Sequence, residues 1–95
     1  MAVMVYIPTP FRRATNNRDR VEVAAGDVRG LLDELERSFG ALKGLVRNEG
    51  GEVHHHVNIY VNGDPIDDAT GLGTRVKDGD EVSIIPALAG GGVAA

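Results

Sequence analysis

No cysteine occurs among the 95 residues, which removes disulfides, thiolate metal ligands and a cysteine nucleophile from the chemistry open to this chain. Tryptophan is also missing, and the aromatic set is two tyrosines and two phenylalanines, a poor platform for stacking bases. There is no cationic excess, because 10 lysines and arginines face 14 acidic residues for a formal net charge of -4. Arg12, Arg13, Arg18 and Arg20 do gather near the start, but Asp19, Glu22 and Asp27 lie among or just beyond them. The cluster reads as a solvated loop, and nucleic acid is not an expected partner. Long apolar runs are absent too. The opening Met1-Ala2-Val3-Met4-Val5-Tyr6-Ile7-Pro8 lacks a basic flank and is too short for a signal peptide or a membrane span. A cytoplasmic location without a membrane partner is expected.

What is present is the composition of a globular domain, 42% hydrophobic and 25% charged. A chain of this length supports one core, burying somewhat over ~60% of the surface its unfolded form exposes. Residues 1–86 are expected to form that domain and residues 87–95 a flexible glycine tail.

Val3, Val5 and Ile7 alternate with Met4 and Tyr6, which predicts a strand over Ala2 to Ile7, ended by Pro8. Thr9 to Arg18 reads as a loop, and Val21 and Val23 alternate in a second strand. Asp27 is a good N-cap, and Val28, Leu31, Leu32, Leu35 and Phe39 then form one apolar stripe at helical spacing, stopped by Gly40. Leu42, Leu45 and Val46 read as a further short helical turn, and Asn48 to Glu52 as a loop. His56 to Val61 predicts a third strand, followed by Asn62-Gly63, the dipeptide best suited to a type I′ turn, and by the short edge arm Asp64-Pro65-Ile66. Asp67 to Val76 reads as a turn or a single helical turn, with Leu72 and Val76 inward. Lys77-Asp78-Gly79-Asp80 reads as a tight turn, and Glu81 to Ile85 as the last strand, with Val82 and Ile84 in the core and Ser83 and Ile85 outward. This order predicts an α+β fold, a mixed sheet with one main helix packed across it, on the plan of the β-grasp.

Beyond Pro86 the chain continues as Ala87-Leu88-Ala89-Gly90-Gly91-Gly92-Val93-Ala94-Ala95. Glycines without Cβ atoms can thread a channel too narrow for other residues. Fully extended, Ala87 to Gly91 reaches roughly 17 Å at about 3.3 to 3.6 Å per residue, enough to enter another protein's buried pocket.

With these features in place, the chain resembles the ubiquitin-like sulfur carriers of the molybdopterin-synthase small-subunit and thiamine sulfur-carrier family. The resemblance rests on the strand Val3 to Ile7, the helix capped by Asp27, Val57-Asn58-Ile59-Tyr60-Val61-Asn62, Asp78-Gly79-Asp80-Glu81-Val82 and the ending Pro86-Ala87-Leu88-Ala89-Gly90-Gly91. Ile7-Pro8-Thr9, the Val57 to Asn62 strand and the Ala-Leu-Ala-Gly-Gly ending look nearest to the branch that feeds cysteine synthesis. The resemblance implies a carrier without catalytic residues or bound cofactor of its own, whose terminal glycine, here Gly91, is adenylated by a ubiquitin-activating-like enzyme using ATP and magnesium. Sulfur then replaces AMP to give a thiocarboxylate for a sulfur-accepting biosynthetic enzyme. Ala89, Gly90 and Gly92 would be the threading residues. Because Gly92, Val93, Ala94 and Ala95 follow Gly91, maturation by a deubiquitinase-like metalloprotease is implied, after Gly91 or alternatively after Gly92.

Ile85 and Tyr60 face outward beside the emerging tail and are candidates for docking on the activating enzyme. His54-His55-His56 invites a zinc reading, but nothing completes a ligand set, and a solvated strand entry is the expectation. Asp64, Asp67 and Asp68 lack the calcium-loop pattern. No nucleophile elbow, phosphate loop or metal motif points to an enzyme. Two other functions stay open: a modifier whose glycine is joined to lysine amines, and an interaction module with an inert tail.

Overall fold

The structure is a computed structural model and describes residues 2–66 and 71–86. Its sheet has five strands, β1 (Ala2–Tyr6), β2 (Arg20–Ala24), β3 (Val57–Val61), β4 (Asp64–Pro65) and β5 (Glu81–Pro86), in the order β2-β1-β5-β3-β4. β1 and β5 pair in parallel at the centre, Val5 beside Val82. β2 joins β1 antiparallel and β3 joins β5 antiparallel, with Tyr6 opposite Arg20 and Pro86 opposite Val57. This is the β-grasp arrangement that the element order predicts.

The alternation seen in the sequence decides which face is covered. Val3, Val5, Ile7, Val23, Val57, Ile59, Val82 and Ile84 are all buried on the inner face. Helix α1 (Val28–Ser38) lies across them and buries Val28, Leu31, Leu32 and Leu35. Its start is fixed by Asp27, whose Oδ1 accepts from the Gly30 amide at 2.7 Å. Gly30 also leaves space for that carboxylate, since a Cβ there would stand 3.1 Å from the same oxygen.

The helix ends through its Phe39 cap, so Gly40 stands just past the end, as expected, but a 3-10 turn over Gly40–Leu42 follows at once. The further helical turn expected through Val46 does not form. Gly44 takes a φ of +86° and reverses the chain, so Leu42 and Val46 are buried while Leu45 turns out to solvent. Arg47 holds the returning segment to the outer side of α1, bonding Glu36 through Nε and Nη2 at 3.0 Å and Asp33 at 2.8 Å.

A second difference lies between β1 and β2. The stretch read as a loop contains a 3-10 helix over Thr9–Thr15, started by prolines and sunk at Phe11 and Thr15. Thr15 is fully buried, and its Oγ1 lies 3.2 Å from the Arg12 carbonyl and 2.9 Å from that of Arg18, so one hydroxyl fastens an otherwise exposed turn. Asn16 and Asn17, both at positive φ, then turn the chain into β2. This helix packs against the Gly40–Leu42 turn and closes one end of the core.

Candidate functional site

Strand directions determine where the C-terminal segment leaves. Because β1 and β5 are parallel and flanked by antiparallel partners, the last residues of β1 and β5 and the first of β2 and β3 meet at one end of the sheet. Pro86 therefore leaves the sheet beside Val57 on one side, with the 3-10 helix that follows Pro8 on the other. Gly91 and the expected threading residues Ala89, Gly90 and Gly92 lie outside the described residues, as do Ala87 onward and the 67–70 segment.

The outer face of the sheet leads to this exit. Its middle row runs Arg20, Tyr6, Ser83, Tyr60 and Pro65 across all five strands. The Arg20 guanidinium stands 5.9 Å from the Tyr6 ring centroid, a cation–π contact. One step toward the exit, Ile85 sits opposite Asn58 and is 48% exposed. Among the described residues only Ile85 and Leu45 are large exposed hydrophobics. Ile85 is thus where the alternation puts it. Tyr60 shares the face but is half-buried in the row of Ser83. Leu45 was missed as a surface residue because the positive φ of Gly44 leaves no trace in hydrophobic spacing.

At the opposite end, a polar lock sets the height of β5. The Asn62 amide donates to Asp80 Oδ1 at 3.0 Å, the Lys77 amide donates to Asp80 Oδ2 at 2.8 Å, and Asn62 Oδ1 accepts from the Glu81 amide at 2.9 Å. The Asn62 bond foremost, with the Lys77 amide, holds the Asp80 carboxyl below its ordinary value. Asn62 and Gly63 have φ of 52° and 88°, the two positive values that a type I′ turn requires. The hairpin turn and the Lys77–Asp80 turn are thereby joined, and β5 is held in register from its first residue.

The three histidines sit before β3 rather than on it. His54 and His56 stack at 5.1 Å between ring centroids, His55 meets His56 edge-on at 5.8 Å, and His54 Nε2 lies 2.9 Å from the Gly44 carbonyl. Among the described residues no three His, Asp or Glu side chains converge as a metal site. A shallow groove of about 860 Å³ opens between α1, residues 52–55, β3 and residues 71–74; its polar side chains include Arg29, Glu52, His54, His55, Asn58 and Thr74. None of these six side chains hydrogen-bonds another, so no nucleophile and base are paired there. No helix of the described residues is long and apolar enough to cross a membrane.

A five-stranded mixed sheet with one helix across it and its C-terminal strand at the centre defines the ubiquitin-like β-grasp class, and comparison with known proteins identifies the group. The ThiS family model matches residues 5–91. The sulfur carrier protein CysO of Mycobacterium tuberculosis is 34% identical over 93 residues, covering 96% of this chain and all of the relative. Small archaeal modifier protein 3 of Haloferax volcanii is 40% identical over 70 residues, 74% of this chain and 72% of the relative. Among solved structures, the Amycolatopsis orientalis BexX/CysO complex contains a chain that superposes with a TM-score of 0.86 at 37% identity, covering 95% of this chain and all of that one. The chain belongs to the ThiS family and is a ubiquitin-like sulfur carrier protein of that type.

Proposed function

We propose that the chain carries sulfur on Gly91 as a thiocarboxylate. A deubiquitinase-like metalloprotease first removes Gly92 to Ala95. The exposed Gly91 carboxylate attacks the α-phosphorus of ATP, held with magnesium by a ubiquitin-activating-like enzyme, and pyrophosphate leaves. A sulfur nucleophile then attacks the acyl carbon, and AMP departs. The product donates sulfur to a biosynthetic enzyme making cysteine, molybdopterin or a related compound; likeness to two CysO proteins favours cysteine. In this cycle the chain is a co-substrate and supplies no catalytic side chain. The observation that carries the reading is that family similarity extends through the tail and ends on the second glycine of Gly90-Gly91.

The intact mass of the protein from its own host tests it. A species ending at Gly91 with one oxygen replaced by sulfur is expected, and full-length chain alone would overturn it. A second reading is supported by the similarity to a small archaeal modifier protein: the same activated acyl group is passed to a lysine amine. Isopeptide-linked conjugates in the host would favour it.

A further inference from the structure

The end of the sheet from which Pro86 departs is cationic, although the chain as a whole is acidic. Arg12, Arg13 and Arg18 lie in the β1–β2 connection, Arg20 opens β2, and Lys43 follows the Gly40–Leu42 turn that packs on that connection. These are five of the ten basic residues. Arg13, Arg18, Arg20 and Lys43 are exposed. Among the described residues none of the five enters an ion pair, whereas Arg37 and Arg47 are both paired on the helix. Asp19 is the acid that shares this connection. Asp64, Asp78, Asp80 and Glu81 lie at the far end, around the Asn62-Gly63 and Lys77–Asp80 turns, with Lys77 among them.

We propose that this cationic end is a docking surface for an acidic rim around the channel of the protein that takes the tail. The proposal rests on the carrier reading, because a tail that enters no channel has no rim to meet. Charge complementarity gives the partner its sign. Over most of its surface this chain, at a net charge of -4, repels an acidic protein, and the basic end is the approach that attracts one. Fields of this kind act over about 8 Å at physiological ionic strength, and they orient an encounter before side chains touch. A tail leaving from the attractive end is then presented first. Nucleic acid would meet the same charge, but for a single strand the surface around the exit offers Tyr6 and Tyr60 half-buried rather than free to stack.

The test uses the mature chain ending at Gly91, the host's own ubiquitin-activating-like enzyme, ATP and magnesium, and reads KM and kcat for adenylation from 20 to 500 mM NaCl. The variant R13E/R18E/K43E changes only exposed residues. It is expected to raise KM at low salt on the order of tenfold or more, to leave kcat unchanged and to flatten the salt dependence, as for a rim charge that sets the association rate. Equal KM and equal salt slopes for wild type and variant, with wild type activated normally, would overturn the docking surface and leave the carrier reading standing. No activation of wild type would sink the carrier reading and the docking surface together. If the variant fails to fold by circular dichroism, the wild-type salt series decides alone, since a KM indifferent to salt excludes the charged rim. A duplex oligonucleotide bound by wild type and lost in the variant, with KM unaffected, would reassign the surface to nucleic acid.

Discussion

Asn62 and Asp80 join two turns across 18 residues of sequence, and the Asn62 amide to Asp80 Oδ1 bond of 3.0 Å ties the β3–β4 hairpin to the start of β5. Asp80 is buried, with a carboxyl held below its ordinary 3.8 by the Asn62 amide first and the Lys77 amide second. A carboxyl depressed on folding stabilises the fold above its unfolded value, and that contribution is lost as pH falls through the lower, folded value. The Asp80→Asn variant should therefore melt below wild type at pH 6 to 7, and the gap in Tm should narrow as pH drops below 3.8. Thermal melts from pH 2.5 to 7 measure it; a gap independent of pH would show that ionised Asp80 contributes nothing to the lock.

The helix makes a sharper stability prediction. Asp27→Ala removes the acceptor at 2.7 Å from the Gly30 amide and should cost about 1 kcal/mol, or roughly 4 to 8 °C in Tm for a domain of this size. Leu31, fully buried under the sheet, should cost about 2 to 5 kcal/mol as Leu31→Ala. Leu45, although also a leucine, is 38% exposed, and Leu45→Ser should change stability by no more than about 0.5 kcal/mol. Urea titrations of the three variants should order them Leu31, Asp27, Leu45.

These residues also mark what was legible in the sequence. The helix could be read because its stripe and its cap agree, and the sheet because Val3, Val5, Ile7, Val57, Ile59, Val82 and Ile84 keep a period of two. Asn62-Gly63 declared its own turn. The 3-10 helix at Thr9–Thr15 could not be read, since a single buried Phe11 and a buried threonine hydroxyl make no periodic pattern, and the prolines suit a loop equally well. The helical turn expected at Leu42, Leu45 and Val46 fails for a related reason: their spacing is real, but the reversal at Gly44 breaks the helix that the spacing implies. Of the candidate site, Ile85 was placed by strand parity alone. The cationic end was hidden, because Arg20 and Lys43 reach it from elements separated by the whole helix.

Ile85 separates docking from folding. Its side chain is exposed, opposite Asn58 and next to the strand end, so Ile85→Glu should leave Tm within the change that about 0.5 kcal/mol produces. Its KM for adenylation by the activating enzyme should rise on the order of tenfold, equivalent to about 1.4 kcal/mol of lost docking. Tyr60→Ala should give a smaller rise in KM with a measurable loss of Tm, because Tyr60 is partly buried on the sheet. Unchanged KM in both variants would exclude this face from the encounter.

In the proposed cycle the tail carries the chemistry, so a methyl group there should matter more than an imidazole elsewhere. Gly91→Ala adds a Cβ beside the carboxylate that, in the proposed cycle, attacks ATP inside a glycine-width channel, and a displacement near 1 Å at a reacting centre costs on the order of 10²-fold. The loss should appear in the rate of adenylation at saturating chain, with Tm unaltered, because the last strand ends at Pro86. His55 is exposed before β3 and in edge contact with His56, and His55→Ala should be activated at the wild-type rate. Pyrophosphate release with ATP, magnesium and the activating enzyme measures both. Normal turnover of the Gly91→Ala chain would move the reactive carboxylate to another residue, Gly92 first.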